Sequence, residues 1–153
     1  MEINCMDDIP WSECMHEALL EYRHLGLMLI EEFNITFSQE HCNPVALVNG
    51  YLLGKECNYD IQAVRDNLFD IINDEERKSG KRNINSERAL KARLALSLLA
   101  TPSDKNSLNE SLDWLLLYLE KLGMDDDKSW TILHHFFEQK LSKRNVANNL
   151  LDG

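Results

Sequence analysis

The sequence predicts an all-α, single-domain bundle of about six helices spanning residues 1–153, and three observations carry that expectation. Apolar residues recur every three or four positions in successive segments, no segment sustains the two-residue alternation of a strand, and cap or stop residues separate the segments. The chain is 44% hydrophobic with only 6 Gly and 3 Pro in 153 residues. That is enough apolar material to close one core, and it excludes a disordered or low-complexity chain.

The first helix is expected from about Asp8. Pro10 lies in its first turn, and Trp11, Met15, Leu19, Tyr22, Gly26, Leu29 and Phe33 form its stripe. Leu25, Leu27, Met28 and Ile30 add apolar surface on other faces, so its second half should run through the middle of the domain. Residues 34–42 read as a connector, and Asn43 capping a helix that opens on Pro44 and closes on Gly54 gives a short second helix. The third helix starts near Asn58 or Asp60, carries Ile61, Val64, Leu68, Ile71 and Ile72 on one side, and ends by Ser79 and Gly80. Asn85 or Ser86 caps a fourth that runs to Ala100, where Thr101 and Pro102 stop it.

Ser107 with Glu110 three positions on fits a capping box opening the fifth helix. Its Leu108, Leu112, Leu115, Leu116, Leu119 and Leu122 lead to a stop at Gly123. Asp125, Asp126 and Asp127 favour the positive end of a sixth helix with the stripe Trp130, Leu133, Phe137 and Leu141, and residues 146–151 fit a short last helix. The helices come in pairs, but signature residues do not recur at the fixed period of a solenoid.

The longest apolar run, Leu25 to Ile30, falls far short of the roughly 20 residues that span a bilayer. The acidic N-terminus lacks the basic start and apolar centre of a secretory signal, which predicts a cytoplasmic protein. Cys5, Cys14, Cys42 and Cys57 include no C-x-x-C pair and are expected to be free thiols, buried as small apolar groups.

Glu13 and His16 stand at the E-x-x-H spacing that di-iron bundles use twice, but one copy on the face away from the apolar stripe predicts a solvated pair. Cys5, Cys14, His16, His41, Cys42 and Cys57 include zinc-ligand types without the paired short spacing of a zinc site. His134 falls on the Trp130/Phe137 stripe and is expected to be a core-edge histidine with one hydrogen bond, while His135 faces outward. No nucleophile elbow, phosphate loop or dinucleotide fingerprint occurs. These readings predict a non-enzymatic protein with no catalytic residue, no metal and no cofactor. Trp11, Trp114 and Trp130 read as core residues, with Trp114 and Tyr118 beside the centre of the leucine stripe.

Charge placement is more informative. Of the net −10, residues 1–76 carry −13, residues 77–93 carry +6 and residues 94–153 carry −3. Glu13, Glu17 and Glu21 stand at four-residue spacing, as do Asp66, Asp70 and Asp74, with Glu75 and Glu76 following. Like charges at that spacing weaken a helix by a few tenths of a kcal/mol per pair, and aspartate is a poor helix former, so the ladders call for a reason other than helix stability. Solubility is one reason; a docking face for a basic partner is the sharper one. The basic segment around Arg77, Lys78, Lys81, Arg82, Arg88, Lys91 and Arg93 has no interleaved aromatics, and the rest of the chain carries a net −16. It is therefore expected to pair with acid in the fold or on a partner, not with nucleic acid.

In overall profile, an acidic all-α chain with the ladders Glu13/Glu17/Glu21 and Asp66/Asp70/Asp74/Glu75/Glu76, the protein resembles bacterial immunity proteins, which neutralise toxins delivered by contact-dependent systems. The resemblance implies a tight one-to-one complex with a basic toxin domain, often a nuclease, blocking its active site or substrate surface; the charge placement, separately, puts those eight carboxylates in the binding face and predicts no membrane and no direct nucleic-acid partner. The competing class is a regulatory or scaffold module that holds a partner helix in a groove between its own helices.

Overall fold

Among the described residues six α-helices form in the predicted order: α1 (Met15–Glu32), α2 (Pro44–Leu52), α3 (Asn58–Ser79), α4 (Glu87–Leu98), α5 (Lys105–Lys121) and α6 (Asp126–Asp152). The computed structural model describes residues 2–54, 58–82 and 85–152, and no strand occurs among them. No helix among the described residues is long and apolar enough to cross a membrane.

Local chemistry sets several boundaries. The Asn43 side chain accepts from the Ala46 N–H at 3.3 Å, and Pro44 opens α2. Asn43 and the preceding Cys42 both take left-handed backbone angles, φ 47° and 60°, a tight reversal into the helix that costs a non-glycine residue energy. Ser86 caps α4 by accepting from the Ala89 N–H at 3.2 Å.

Three boundaries differ from expectation. α1 begins at Met15 rather than near Asp8, because the Asp8 carboxylate accepts from the Asn4 and Cys5 N–H groups at 2.9 and 3.2 Å and closes a separate 3-10 turn, Met6–Asp8. Those bonds hold the Asp8 carboxyl below its usual range, the one from Asn4 most. α5 is capped by Asp104, which accepts from the Ser107 N–H at 2.7 Å, so Ser107 lies inside the helix and the expected capping box is absent. α6 continues without a break through residues 146–151, where a separate last helix was expected.

α4 is the centre of the arrangement. It packs between α3 and α5, and α1 and α2 also contact it, while α6 packs against α1 and α5. The second half of α1 runs through the core as its all-round apolar pattern predicts: Leu25 and Leu29 are fully buried, and Gly26 lets α1 close on Leu98 and Leu115. A Cβ at Gly26 would stand 2.7 Å from Leu98 Cδ2, too close without a shift of that side chain. Leu108, Leu112, Leu115, Leu116 and Leu119 of α5 join this core, as do Leu133 and Phe137 of α6. The fully buried Tyr22 donates its hydroxyl to the Ser97 carbonyl at 2.7 Å, and burial pushes its phenol far up from the ordinary value.

The segment before α1 is tied down instead of helical. Trp11 is buried edge-on against Phe137, with ring centroids 5.2 Å apart, and its indole N–H donates to Asn109 Oδ1 at 2.7 Å. His134 meets the Ile3 carbonyl through Nε2 at 2.9 Å, the single core-edge bond expected of it, and His135 is exposed. The cysteine expectation needs correction. Cys5, Cys14 and Cys42 are free but exposed rather than buried, and Cys57 lies outside the described residues.

Candidate binding surface

The fold divides the eight carboxylates of the two expected ladders. Glu13 precedes α1, so Glu13, Glu17 and Glu21 do not form one helical row. Glu13 is fully exposed and pairs at 3.4 Å with Lys105, a contact of little energetic weight in water. Glu21 is 4% exposed. It accepts from the Ser12 N–H at 2.8 Å and the Ser12 hydroxyl at 3.0 Å, and it pairs with Arg144 of α6. Glu21 therefore belongs to the interior, a correction to its expected place on a docking face.

Asp74, Glu75 and Glu76 are also engaged. Arg88 reaches Asp74 at 2.7 Å and Glu75 at 3.0 Å through Nη1, and Glu40 at 2.6 Å through Nε. Lys78 adds a 3.1 Å contact to Asp74, and Arg93 holds Glu76 at 3.3 Å. The Arg88 contact, first among the causes, holds both the Asp74 and Glu75 carboxyls below their ordinary range. Here Lys78, Arg88 and Arg93 of the basic segment pair with acid in the last turns of α3, and Arg88 joins α3 to α4 and to the 3-10 turn Gln39–His41. That turn is further fixed by the buried His41, whose Nδ1 meets Ser38 Oγ at 2.7 Å and whose Nε2 meets the Arg88 carbonyl at 3.1 Å.

Three of the eight, Glu17, Asp66 and Asp70, make no ion pair among the described residues. Glu17 stands alone on α1. Asp66, which accepts from Gln62 at 2.9 Å, and Asp70 share the outer side of α3, one turn apart. They flank Phe69, which is 48% exposed. Across a groove of about 330 Å³ stands Trp114 of α5, 53% exposed. Its ring stacks on Tyr118 with centroids 5.8 Å apart. Trp114 thus departs from the core role expected of it.

Leu96 and Ser97 of α4, with Ala100 just past its end, supply the floor of this groove, while Phe69 and Ile72 of α3 face Trp114 and Tyr118 of α5. An arginine stands toward each end. Arg65 donates to the Leu99 carbonyl at 3.3 Å near the end of α4, and Arg93, already bound to Glu76, is close enough to offset part of the rise that burial imposes on the Tyr118 phenol. Beyond Trp114, Glu110 and Asp113 are exposed on α5, so acid lies on both shoulders of an apolar trough.

Covering Trp114 alone would remove roughly 100 Å² of apolar surface from water, worth about 2 to 3 kcal/mol. That gain and the aromatic and arginine content match the residues that dominate protein–protein interfaces. Sequence reasoning missed Phe69, Trp114 and Tyr118 as site residues, although Phe69 falls outside the Ile61/Val64/Leu68/Ile71 stripe and Trp114 outside the leucine stripe. A large aromatic off the core face is the available signal.

Among the described residues, no three His, Cys, Asp or Glu side chains converge as a metal-binding group. No protein-family model, curated protein or solved structure matches the chain.

Proposed function

We propose that this protein is a non-enzymatic acidic inhibitor, of the immunity-protein kind, that binds a basic toxin domain and blocks it. A nuclease suits the charge, because the surface that holds nucleic acid is rich in Lys and Arg and is attracted to a carboxylate field. The observation that carries the reading is the placement of Asp66 and Asp70. While most of the two ladders is consumed by internal pairing, these two carboxylates make no ion pair among the described residues and flank an exposed Phe69 that faces an exposed Trp114. Apolar surface supplies affinity and the surrounding acid supplies encounter rate and choice of partner.

The test is capture of partners on the tagged protein from its own cell extract, at low and high ionic strength, followed by kinetics with the purified partner. The expected partner is a basic protein whose toxicity is relieved by co-expression and whose association slows as salt rises from about 50 mM to about 500 mM. A neutral or acidic partner, or an association rate indifferent to salt, would overturn the reading.

A further inference from the structure

We infer that the trough over α4 receives a basic amphipathic helix of the partner, laid between α3 and α5 with its apolar side inward. The inference rests on the reading of the protein as a binder of a basic partner and specifies the element bound.

The floor decides the shape of the occupant. Arg93, Leu96 and Ser97 share one side of α4 and Ala100 follows just past its end, so the floor is about two helical turns long. α3 and α5 pack on either side of α4, and between them this side of α4 lines the open groove, while Glu87 and Lys91 reach solvent elsewhere on the helix. Ser97 and Ala100 are small, which permits close approach of a backbone, and the walls carry Phe69 and Trp114 as raised aromatic edges. An apolar groove of this length between two helices suits the anchors of an amphipathic helix at i, i+3, i+4 and i+7.

Charge decides its composition. The middle of the trough, between Arg65 and Arg93, is lined by Phe69, Ile72, Leu96 and Trp114, and the acid stands outside it on the shoulders, as Asp66 and Asp70 on one side and Glu110 and Asp113 on the other. A matching helix therefore carries Leu, Met or aromatic side chains toward α4 and Lys or Arg along both flanks. A second copy of this chain is disfavoured as occupant, because at a net charge of −10 it would bring acid against acid.

The experiment uses the full chain and, as probe, an amphipathic helical peptide of leucine and lysine of about 15 residues, with a control of the same composition in scrambled order. Binding is followed by the Trp114 indole N–H resonance, assigned by its disappearance in Trp114→Phe, and by titration calorimetry, which also reads the variant that lacks this indole. The patterned peptide should move this resonance and bind at least about tenfold more tightly than the scrambled one. Ala100→Trp, which fills the trough, and Trp114→Ala, an exposed site that leaves the core alone, should each weaken it about tenfold, with helical content checked by circular dichroism.

Equal binding of the two peptides, or wild-type binding by both variants, would overturn the inference. So would self-association of the chain that covers Trp114 and blocks the peptide. The broader reading fails separately: if Asp66→Asn/Asp70→Asn leaves the salt dependence of binding unchanged while Trp114→Ala abolishes binding, the trough stands and the acidic docking face falls. If the charge variant weakens binding and the two groove variants do not, the reverse holds.

Discussion

Glu21 of α1 and Arg144 of α6, 123 positions apart, form an ion pair that also grips the segment between Ile9 and Cys14. Arg144 donates to the Pro10 carbonyl at 3.2 Å and to Ser12 Oγ at 2.8 Å, and Glu21 takes the Ser12 N–H and hydroxyl from the other side. Arg144→Met should cost roughly 2 to 4 kcal/mol, because it leaves a buried carboxylate without its cation. Glu21→Leu combined with Arg144→Met should recover part of that loss. Urea denaturation of the two single variants and the double variant checks this, and strict additivity would show that the two residues act independently.

Leu116 is 4% exposed on the inner side of α5. Leu116→Ala should lower stability by roughly 2 to 5 kcal/mol, through lost transfer energy and the cavity left behind. Equilibrium denaturation reads this directly, and an unchanged midpoint would remove α5 from the core.

The Arg88 cluster predicts acid sensitivity. Asp74 and Glu75 titrate below their ordinary range in the folded chain because of Arg88, so their contribution is present above the unfolded carboxylate range and is lost as pH falls through the folded values. The melting temperature of the parent should drop between about pH 5 and about pH 2, and Arg88→Gln should lower it at neutral pH and flatten this acid limb. Thermal melts across that range check both. An acid limb as steep in Arg88→Gln as in the parent would exclude the cluster as its source.

Asp66 and Asp70 should behave in the opposite way to Asp74. Asp66→Asn/Asp70→Asn removes repulsion along α3 and should leave the free protein unchanged or slightly more stable. Asp74→Asn removes partners from Arg88 and Lys78 and should lower the melting temperature. Melts at low ionic strength compare them, and a similar loss from both would show that Asp66 and Asp70 are structural.

The readable parts of the sequence were those set by neighbours in the chain. Asn43, Pro44 and Gly54 delimit α2 because capping and stopping are local acts, and the stripes of α3 and α5 point inward as their spacing requires. The start of α1 is not legible locally, because Pro10 fits a first turn while Trp11 is drawn into contact with Asn109 and Phe137 far along the chain. For α5, Ser107 and Glu110 mimic a cap that Asp104 supplies three residues earlier. The acidic ladders were visible, but Glu17 and Glu21 are indistinguishable on paper. One faces water and the other meets Arg144, and only the packing of α6 on α1 separates them.

The central place of α4 also bears on how the chain reaches its fold. α3, α4 and α5 are consecutive and pack on one another, so this layer can assemble through short loops with little entropy lost to closure. The amino-terminal segment instead depends on bonds such as His134 to Ile3 and Arg144 to Pro10, spanning 131 and 134 positions. On a ribosome that segment emerges well before its anchors in α6, so the seam between the segment and α6 should close late and be the first to open.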